Sequence, residues 1–102
     1  MKRIMVCYRV KAEMAIENRR LIEAVFAEAQ SKRPDGIRYA SFVAADGVSF
    51  VHLFSNERAD GSNPLGAMDA FKAFQANIRE RCDEPPVATE LEMIGSFQFF
   101  PQ

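Results

Sequence analysis

The 102-residue sequence predicts an α+β domain whose strands and helices follow the order β-α-β-β-α-β. Three observations lead to this fold class: a strand-like alternation near the start, two segments with helical spacing, and an Asp46-Gly47 dipeptide between two β-rich runs. Hydrophobic residues make up 48% of the chain. That share is enough for one core, so we expect a single domain over residues 1–102.

Hydrophobic periodicity predicts the first strand and the first helix. From Arg3 to Lys11, apolar side chains alternate with a mixed set, which is typical of a strand. From Ala15 to Ser31, apolar residues recur at the spacing of one helix face. Pro34 and Gly36 predict that this helix ends just before them.

A β-hairpin is predicted next. The runs Ile37–Ala44 and Val48–Ser55 flank Asp46-Gly47, the dipeptide most typical of a tight hairpin turn, so the two strands are expected to be antiparallel neighbours. A two-residue turn at this point also fixes which residues face each other across the strands. The predicted pairs are Val43 with Phe50, Ser41 with His52, and Tyr39 with Phe54.

The second helix and the last strand are predicted from residue 63 onward. Asn63-Pro64 has the character of a helix N-cap followed by a first helical residue. The helical pattern then continues until Pro85-Pro86, which is expected to end it. From Val87 to Phe100 we expect a final extended segment, with Gly95 as a bulge or bend within it.

This order of elements is the split βαβ, or ferredoxin-like, arrangement. Right-handed crossovers place the first and third strands at the centre of a four-stranded antiparallel sheet and both helices on one face. The other face has no covering element within the chain. Because a small domain rarely leaves a large apolar sheet face in water, we expect a second copy of the chain to cover it.

The predicted hairpin register divides its side chains between the two faces of the sheet. Ala40, Phe42, Val51 and Leu53 form the smaller, more aliphatic set, which we expect to pack against the helices. The other set mixes aromatic rings with hydrogen-bonding groups and is expected on the open face. Its members are Tyr39, Ser41, Phe50, His52 and Phe54. We expect Arg9 and Cys7 to join it, with Glu90 or Glu92 completing a polar corner.

The β-α-β-β-α-β order, the uncovered sheet face and the aromatic C-terminal segment together resemble the dimeric α/β barrel superfamily, in particular its antibiotic biosynthesis monooxygenase-like group. The resemblance covers nearly the whole chain and rests on pattern and length, not on a short motif. It implies a homodimer whose sheet faces pair in a dimeric α/β barrel. It also implies one of several roles: cofactor-independent monooxygenase, haem-degrading enzyme, isomerase, or a protein without a known role.

The haem-degrading branch is disfavoured by the residues present. That branch carries a tryptophan and a histidine ligand on its second helix. This chain contains no tryptophan, and no histidine lies between Asn63 and Cys82. We expect no cofactor.

His52 and Arg9 are the candidate catalytic residues. His52 is the single histidine, and its imidazole is suited to act as a base or to orient a phenolic substrate. The plainer interpretation is a structural histidine bonded to Ser41 or to a partner subunit. Arg9 has the charge to neutralise an anionic substrate, or it is simply a solvated strand end. The candidate ligand-binding residues are Tyr39, Ser41, Phe50 and Phe54.

Composition excludes several other classes. The 13 basic and 14 acidic residues give a net charge of −1, so neither nucleic acid nor an anionic membrane is an expected partner. No window approaches the roughly 18 apolar residues of a membrane span, and we expect a soluble, unprocessed, cytoplasmic protein. Cys7 and Cys82 are expected to be free thiols. One histidine and two distant cysteines do not make a metal site.

Two hypotheses about function remain open at this point. The first is a small cofactor-independent monooxygenase-like enzyme that oxidises or rearranges an aromatic, electron-rich compound in a pocket on the open sheet face, bounded by Tyr39, Phe50, His52 and Phe54. The second is a non-catalytic dimer that binds a small ligand or serves as an assembly module. A cleft filled by Phe97, Phe99 or Phe100 would favour the second hypothesis.

Overall fold

A computed structural model of the protein describes residues 1–99. Its strands are β1 (Lys2–Val10), β2 (Ile37–Val43), β3 (Ser49–Asn56) and β4 (Cys82–Leu91). Its α-helices are α1 (Ala15–Lys32), α2 (Asp69–Gln75) and α3 (Ile78–Arg81), and short 3₁₀ turns precede α1 (Ala12–Met14) and α2 (Pro64–Ala67). Within residues 1–99, no helix combines the length and the apolarity that a membrane span requires.

The four strands form one antiparallel sheet in the order β2-β3-β1-β4. The core lies on one side of this sheet, where Tyr8, Val10 and Phe50 pack with Val25 of α1 and Phe74 of α2. The predicted fold class is therefore confirmed, including the central positions of β1 and β3 and the placement of the helices on one face.

The β2–β3 hairpin has the predicted register, although its turn is longer than expected. Residues 44–48 form the loop, and the Ala44 N–H donates to the Ser49 carbonyl at 2.8 Å. The Asp46 carboxylate accepts hydrogen bonds from the backbone N–H groups of Val48 and Ser49, both at 2.9 Å. Gly47 has φ +78°, which a glycine adopts without strain. These local bonds fix the same strand pairing as a two-residue turn would.

The expected assignment of the two sheet faces is wrong. The face with Tyr39, Ser41, Phe50, His52 and Phe54 lies under the helices, and His52 is only 3% exposed. Aromatic rings fill the space between the sheet and the helices, and the polar groups can be buried because they hydrogen-bond to one another. The opposite, helix-free side is called the open face below. Its side chains come from Ala40, Phe42, Val51, Leu53, Met5, Cys7, Arg9 and Val87.

The second helical segment ends earlier than predicted. Asn63 accepts a hydrogen bond from the Leu65 N–H at 3.1 Å, so the predicted N-cap is confirmed for the 3₁₀ turn. The helix ends at Gln75, because Ala76 is extended and Asn77 then has φ +60°. The carbonyls of Phe74 and Ala76 are left without helical partners, and the Arg81 guanidinium donates to both, at 2.5 and 3.0 Å.

Pro85 and Pro86 do not end a helix but lie within β4. They occupy the point where the pairing with β1 shifts, between the pairs Arg9–Glu84 and Cys7–Val87. An edge strand tolerates proline at such a bulge because the missing N–H is not needed by a neighbouring strand.

The last strand is shorter than predicted and ends at Leu91. Gly95, Phe97 and Phe99 therefore follow the strand and do not lie within it. Phe97 is 86% exposed and does not fill a cleft. Phe100, the other aromatic residue predicted here, lies outside the described residues.

Candidate functional site

A cavity of about 390 Å³ lies between the helix-covered face of the sheet and the α2–α3 segment. We call it the His52 cavity. Its apolar lining comes mainly from Ile4, Val6, Phe54, Leu65, Phe71 and Phe74, and its polar lining from Tyr8, Tyr39, His52, Asn63, Gln75 and Arg79. Within the described part of the chain, no Asp or Glu lines it. Its walls are thus mostly aromatic and aliphatic, with a few polar groups, as is common for small-molecule sites.

His52 is held by three hydroxyl groups from neighbouring strands. Its Nε2 lies 2.8 Å from the Tyr8 hydroxyl on β1. Its Nδ1 lies 2.8 Å from the Tyr39 hydroxyl and 2.6 Å from Ser41 Oγ, both on β2. The strand pairing explains this geometry, since Ser41 lies directly opposite His52 and Tyr39 and Tyr8 lie diagonal to it.

The imidazole also stacks between two phenol rings. The centroids of Tyr8 and His52 are 5.4 Å apart with planes 11° from parallel, and those of Tyr39 and His52 are 5.8 Å apart at 19°. Phe26 of α1 continues the stack at 5.2 Å from Tyr39. These contacts leave the imidazole little freedom to rotate, so its nitrogens point at fixed partners.

A second layer of polar side chains supports Tyr8. Asn18 on α1 is fully buried, and its Nδ2 donates to the Tyr8 hydroxyl at 2.9 Å. Arg81, only 5% exposed, donates from Nε to Asn18 Oδ1 at 3.1 Å. Its guanidinium also lies 5.5 Å from the centre of the Phe74 ring. Among residues 1–99, no carboxylate lies within ion-pair distance of Arg81, so backbone carbonyls, Asn18 and Phe74 stabilise its charge.

Burial keeps His52 and its two tyrosine partners uncharged at neutral pH. Removal from water lowers the pKa of His52 to about 4, because the imidazolium is the form that loses hydration. The same effect raises the pKa of Tyr39 to about 12. It also raises the pKa of Tyr8, although the Asn18 hydrogen bond opposes this shift in part. The site therefore presents a neutral imidazole between two neutral phenols.

The lowered pKa of His52 predicts a loss of stability in mild acid. The unfolded chain binds this proton near pH 6.5 and the folded protein only near pH 4, so the stability that this group contributes is complete above pH 6.5 and falls as the pH drops from 6.5 toward 4. The expected loss is roughly 3 kcal/mol in the free energy of unfolding. Urea unfolding at several pH values measures it.

A histidine-free variant isolates that contribution. The carboxylates of Glu17, Asp46 and Asp60 have pKa values lowered by their hydrogen bonds and also destabilise the fold as they become protonated. His52→Gln keeps those groups, so the difference between the two pH profiles belongs to His52. Parallel profiles between pH 4 and 6.5 would contradict the assignment.

The structure assembles part of the predicted site. Tyr39, His52 and Phe54 line the cavity, and Ser41 bonds to His52 from a smaller depression of about 210 Å³ on the other side of the hydroxyl cluster. Phe50 is buried in the core and stacks on Tyr8 at 5.5 Å, away from the lining of the His52 cavity.

Arg9, Glu90 and Glu92 are not part of this cluster. Arg9 projects from the open face and forms an ion pair with Glu84 at 2.6 Å, with 46% of its side chain exposed. Arg9 and His52 therefore lie on opposite faces of the sheet. Glu90 lies opposite Ile4 on the helix-covered side, and Glu92 follows the end of β4, so the predicted polar corner does not form.

Several residues of the site were not predicted, among them Tyr8, Asn18 and Arg81, which support His52. Of these three, Tyr8 and Asn18 carried a signal in the sequence. Tyr8 alternates with apolar residues on one face of β1, and Asn18 lies one turn before Ile22 on the apolar stripe of α1. A polar residue within a core-facing stripe needs a hydrogen-bond partner in the core, and Asn18 finds it in Tyr8 and Arg81.

Thiols and metal ligands do not converge on this site. Cys7 is partly exposed on the open face, whereas Cys82 is buried, and both are free. Burial raises the pKa of the Cys82 thiol, which makes it less reactive. In the part of the chain that the structure describes, no three His, Cys, Asp or Glu side chains are grouped to hold a metal ion.

Comparisons with known proteins place the fold in a recognised class. No family model matches the sequence, and no curated protein matches it either. Solved structures do match. One is described as an antibiotic biosynthesis monooxygenase, with 12% identity, a TM-score of 0.74, and coverage of 93% of this chain and 100% of that protein.

Two further structures are described as a "putative antibiotic biosynthesis monooxygenase". The protein from Nitrosomonas europaea has 15% identity and a TM-score of 0.75, with 93% of this chain and 100% of that chain covered. The protein from Caulobacter crescentus CB15 has 21% identity and a TM-score of 0.69, with 92% and 90% covered. At these identities the likeness establishes the fold, which is the ferredoxin-like fold of antibiotic biosynthesis monooxygenase-like proteins.

Proposed function

We propose that this protein is a cofactor-independent monooxygenase that oxidises a small aromatic hydroxyl compound in the His52 cavity. The observation that carries the proposal is a neutral imidazole, fixed between two phenols, in the wall of a mostly apolar cavity. Because this imidazole is neutral at pH 7, it has a lone pair that can accept a proton, and its lowered pKa favours transfer from hydroxyl groups that are acidic for a phenol. The structural likeness to monooxygenases of the same fold supports the reaction class.

The cavity lining supports an aromatic substrate. Rings of Phe54, Phe71 and Phe74 supply faces and edges against which a planar molecule can stack. The volume of about 390 Å³ lies at the small end of the usual range of ligand pockets, which suits a molecule of one to three rings. The absence of lining carboxylates within residues 1–99 means that a phenolate formed in the cavity meets no repelling side chain.

The proposed reaction needs dioxygen and no other oxidant. The substrate hydroxyl gives up its proton through the His52 cluster, and the resulting anion donates electrons to dioxygen and forms a C–O bond at a ring carbon that carries hydrogen. The peroxide takes the proton back. Loss of the carbon-bound hydrogen as a proton, with cleavage of the O–O bond, leaves a ring carbonyl and releases water. One phenol and one O₂ thus give one quinone and one water.

The proposal is tested by oxygen uptake with a panel of phenols and quinols and no added cofactor. We expect protein-dependent, saturable uptake for at least one compound. Phenols made more acidic by a carbonyl substituent are expected to react fastest, because an imidazole with a lowered pKa accepts a proton more readily from a stronger acid. Uptake no faster than the protein-free blank across the panel would contradict the proposal.

We further propose that the protein acts as a homodimer joined through the open face. Apolar side chains are exposed there, with Phe42 at 39% and Val87 at 63% exposure. An uncovered sheet face of this kind is typical of a protein–protein contact. The ion pair of Arg9 and Glu84 lies at the β1–β4 side of the face, where it suits the polar rim of such an interface.

Ligand binding without turnover is the second candidate function. Both nitrogens of His52 are already occupied by protein hydroxyl groups, as expected for a histidine that shapes a pocket and does no chemistry. Saturable binding of a phenol with no oxygen uptake would favour this alternative over the monooxygenase.

A further inference from the structure

Hydrogen bonds connect the buried Arg81 guanidinium to His52 through Asn18 and Tyr8. Arg81 determines which group donates and which accepts in each of these bonds. Arg81 has N–H donors and no acceptor, so the Asn18 atom that faces it at 3.1 Å must be the carbonyl oxygen. The Asn18 amide cannot be turned around without placing two donors against each other. Its Nδ2 therefore points at Tyr8, to which it donates at 2.9 Å.

The bond from Asn18 in turn fixes the donor and acceptor roles of the Tyr8 hydroxyl. Its oxygen accepts the Asn18 hydrogen bond, and its own proton needs an acceptor because the group is buried. The acceptor within reach is His52 Nε2, at 2.8 Å. An Nε2 that accepts carries no proton, so in the neutral ring the proton is on Nδ1 and is donated to the oxygens of Ser41 and Tyr39.

We propose that Asn18, held by Arg81, is a positioning residue that sets the tautomer of His52, with the proton on Nδ1 and the free lone pair on Nε2. Nothing in this step depends on the protein being an enzyme. It follows from donor and acceptor chemistry at four side chains: Arg81, Asn18, Tyr8 and His52.

The tautomer also determines how a substrate proton reaches His52, a step that rests on the proposed function. Nε2 is reached through Tyr8, which lines the cavity and whose oxygen has one lone pair left after the Asn18 bond. A substrate hydroxyl bonded to Tyr8 can pass its proton to the Tyr8 oxygen while the Tyr8 proton moves to Nε2. The imidazolium so formed donates from both nitrogens, to Tyr8 and to the Ser41–Tyr39 pair, so no bond is lost in the transfer.

Nitrogen NMR of the imidazole ring tests the tautomer directly. His52 is the one histidine in the chain, so labelled protein gives a single pair of ring nitrogen signals. At neutral pH we expect Nδ1 at the shift of a protonated nitrogen and Nε2 at the shift of an unprotonated one. The opposite assignment, or an equal mixture of tautomers, in the wild-type protein would overturn the proposal without any variant being needed.

Asn18→Asp replaces the Nδ2 donor with an oxygen acceptor and so reverses the donor and acceptor roles between position 18 and His52. The carboxylate at position 18 pairs with Arg81 and accepts the Tyr8 proton, so the Tyr8 oxygen must then accept from Nε2–H. We expect the two ring nitrogens to exchange roles. The matched control is Gln30→Glu, the same amide-to-carboxylate change at an exposed position of α1, which should leave the tautomer unchanged. A folded Asn18→Asp variant with the wild-type tautomer would overturn the role of Asn18.

Oxygen uptake separates this inference from the proposed function. With a substrate that the wild type oxidises, Asn18→Asp is expected to lower turnover by about tenfold or more, because Nε2 no longer accepts a proton from Tyr8. A reversed tautomer with unchanged turnover would overturn the route through Tyr8. A wild-type tautomer as predicted, with no uptake for any compound, would contradict the monooxygenase and leave the role of Asn18 supported.

Discussion

His52→Gln is expected to lower the rate of oxygen uptake by a factor of about 10² to 10⁴, the usual contribution of a positioned general base. Glutamine is close to histidine in size and retains a donor and an acceptor for Ser41, Tyr39 and Tyr8. It cannot bind an added proton at neutral pH. The loss should therefore appear mainly in kcat, which steady-state oxygen-electrode measurements resolve from KM.

The matched control for this variant is Arg20→Gln. Arg20 lies on the exposed side of α1, where its ion pair is with Glu17, far from the cavity lining. We expect its turnover to stay within a factor of about two of wild type, as for a surface substitution. Circular dichroism and urea unfolding confirm that both variants are folded under assay conditions. A folded His52→Gln protein with wild-type kcat would show that His52 is not the proton acceptor.

Leu53→Arg is expected to convert the proposed homodimer to monomers. Leu53 lies on central strand β3 and projects from the open face, so two arginines would meet in the middle of the proposed interface. An unpaired charge buried in an apolar contact costs at least a few kcal/mol, which weakens dimerisation by about a hundredfold or more. Light scattering at micromolar concentration should then give the 11.5 kDa mass of one chain.

Ala24→Glu provides the control for the dimer. Ala24 lies on the exposed surface of α1, on the other side of the sheet, and the same change from an apolar to a charged residue there should leave the mass at twice 11.5 kDa. A monomeric wild-type protein at this concentration would contradict the dimer. So would a Leu53→Arg variant that is folded and still dimeric.

The order of the elements could be predicted because the signals for it are local. Alternation in β1, helical spacing in α1 and the Asp46-Gly47 turn each depend on residues close together in sequence. The exception is the end of α2, where no proline or glycine stops the helix. The Arg81 guanidinium instead binds the carbonyls of Phe74 and Ala76, and no common helix-stop motif in the sequence indicates this capping by an arginine five to seven residues further along.

The predicted assignment of the two sheet faces was reversed because the hairpin sequence alone does not determine which of its sides packs against the helices. β1 decides this, since Tyr8 pairs with Phe50 and Val6 with His52, and the more apolar face of β1 packs under the helices. No turn joins β1 to β3, so this register is set by packing between distant segments.

The same distinction explains which part of the site could be predicted. Tyr39, Ser41 and His52 belong to one hairpin, and its register brings them together. Tyr8, Asn18 and Arg81 come from three other elements and meet only in the folded core. The supporting residues of a site are therefore harder to predict than the residue they support.

The most direct test of the central claim is to follow labelled dioxygen during oxidation of the compound that shows the fastest uptake. If the protein is a cofactor-independent monooxygenase, mass spectrometry of rapidly quenched wild-type reactions should find one ¹⁸O atom in each quinone formed, with water and no hydrogen peroxide as the other product. Unlabelled product accompanied by hydrogen peroxide, or no protein-dependent oxidation of any phenol or quinol, would contradict it.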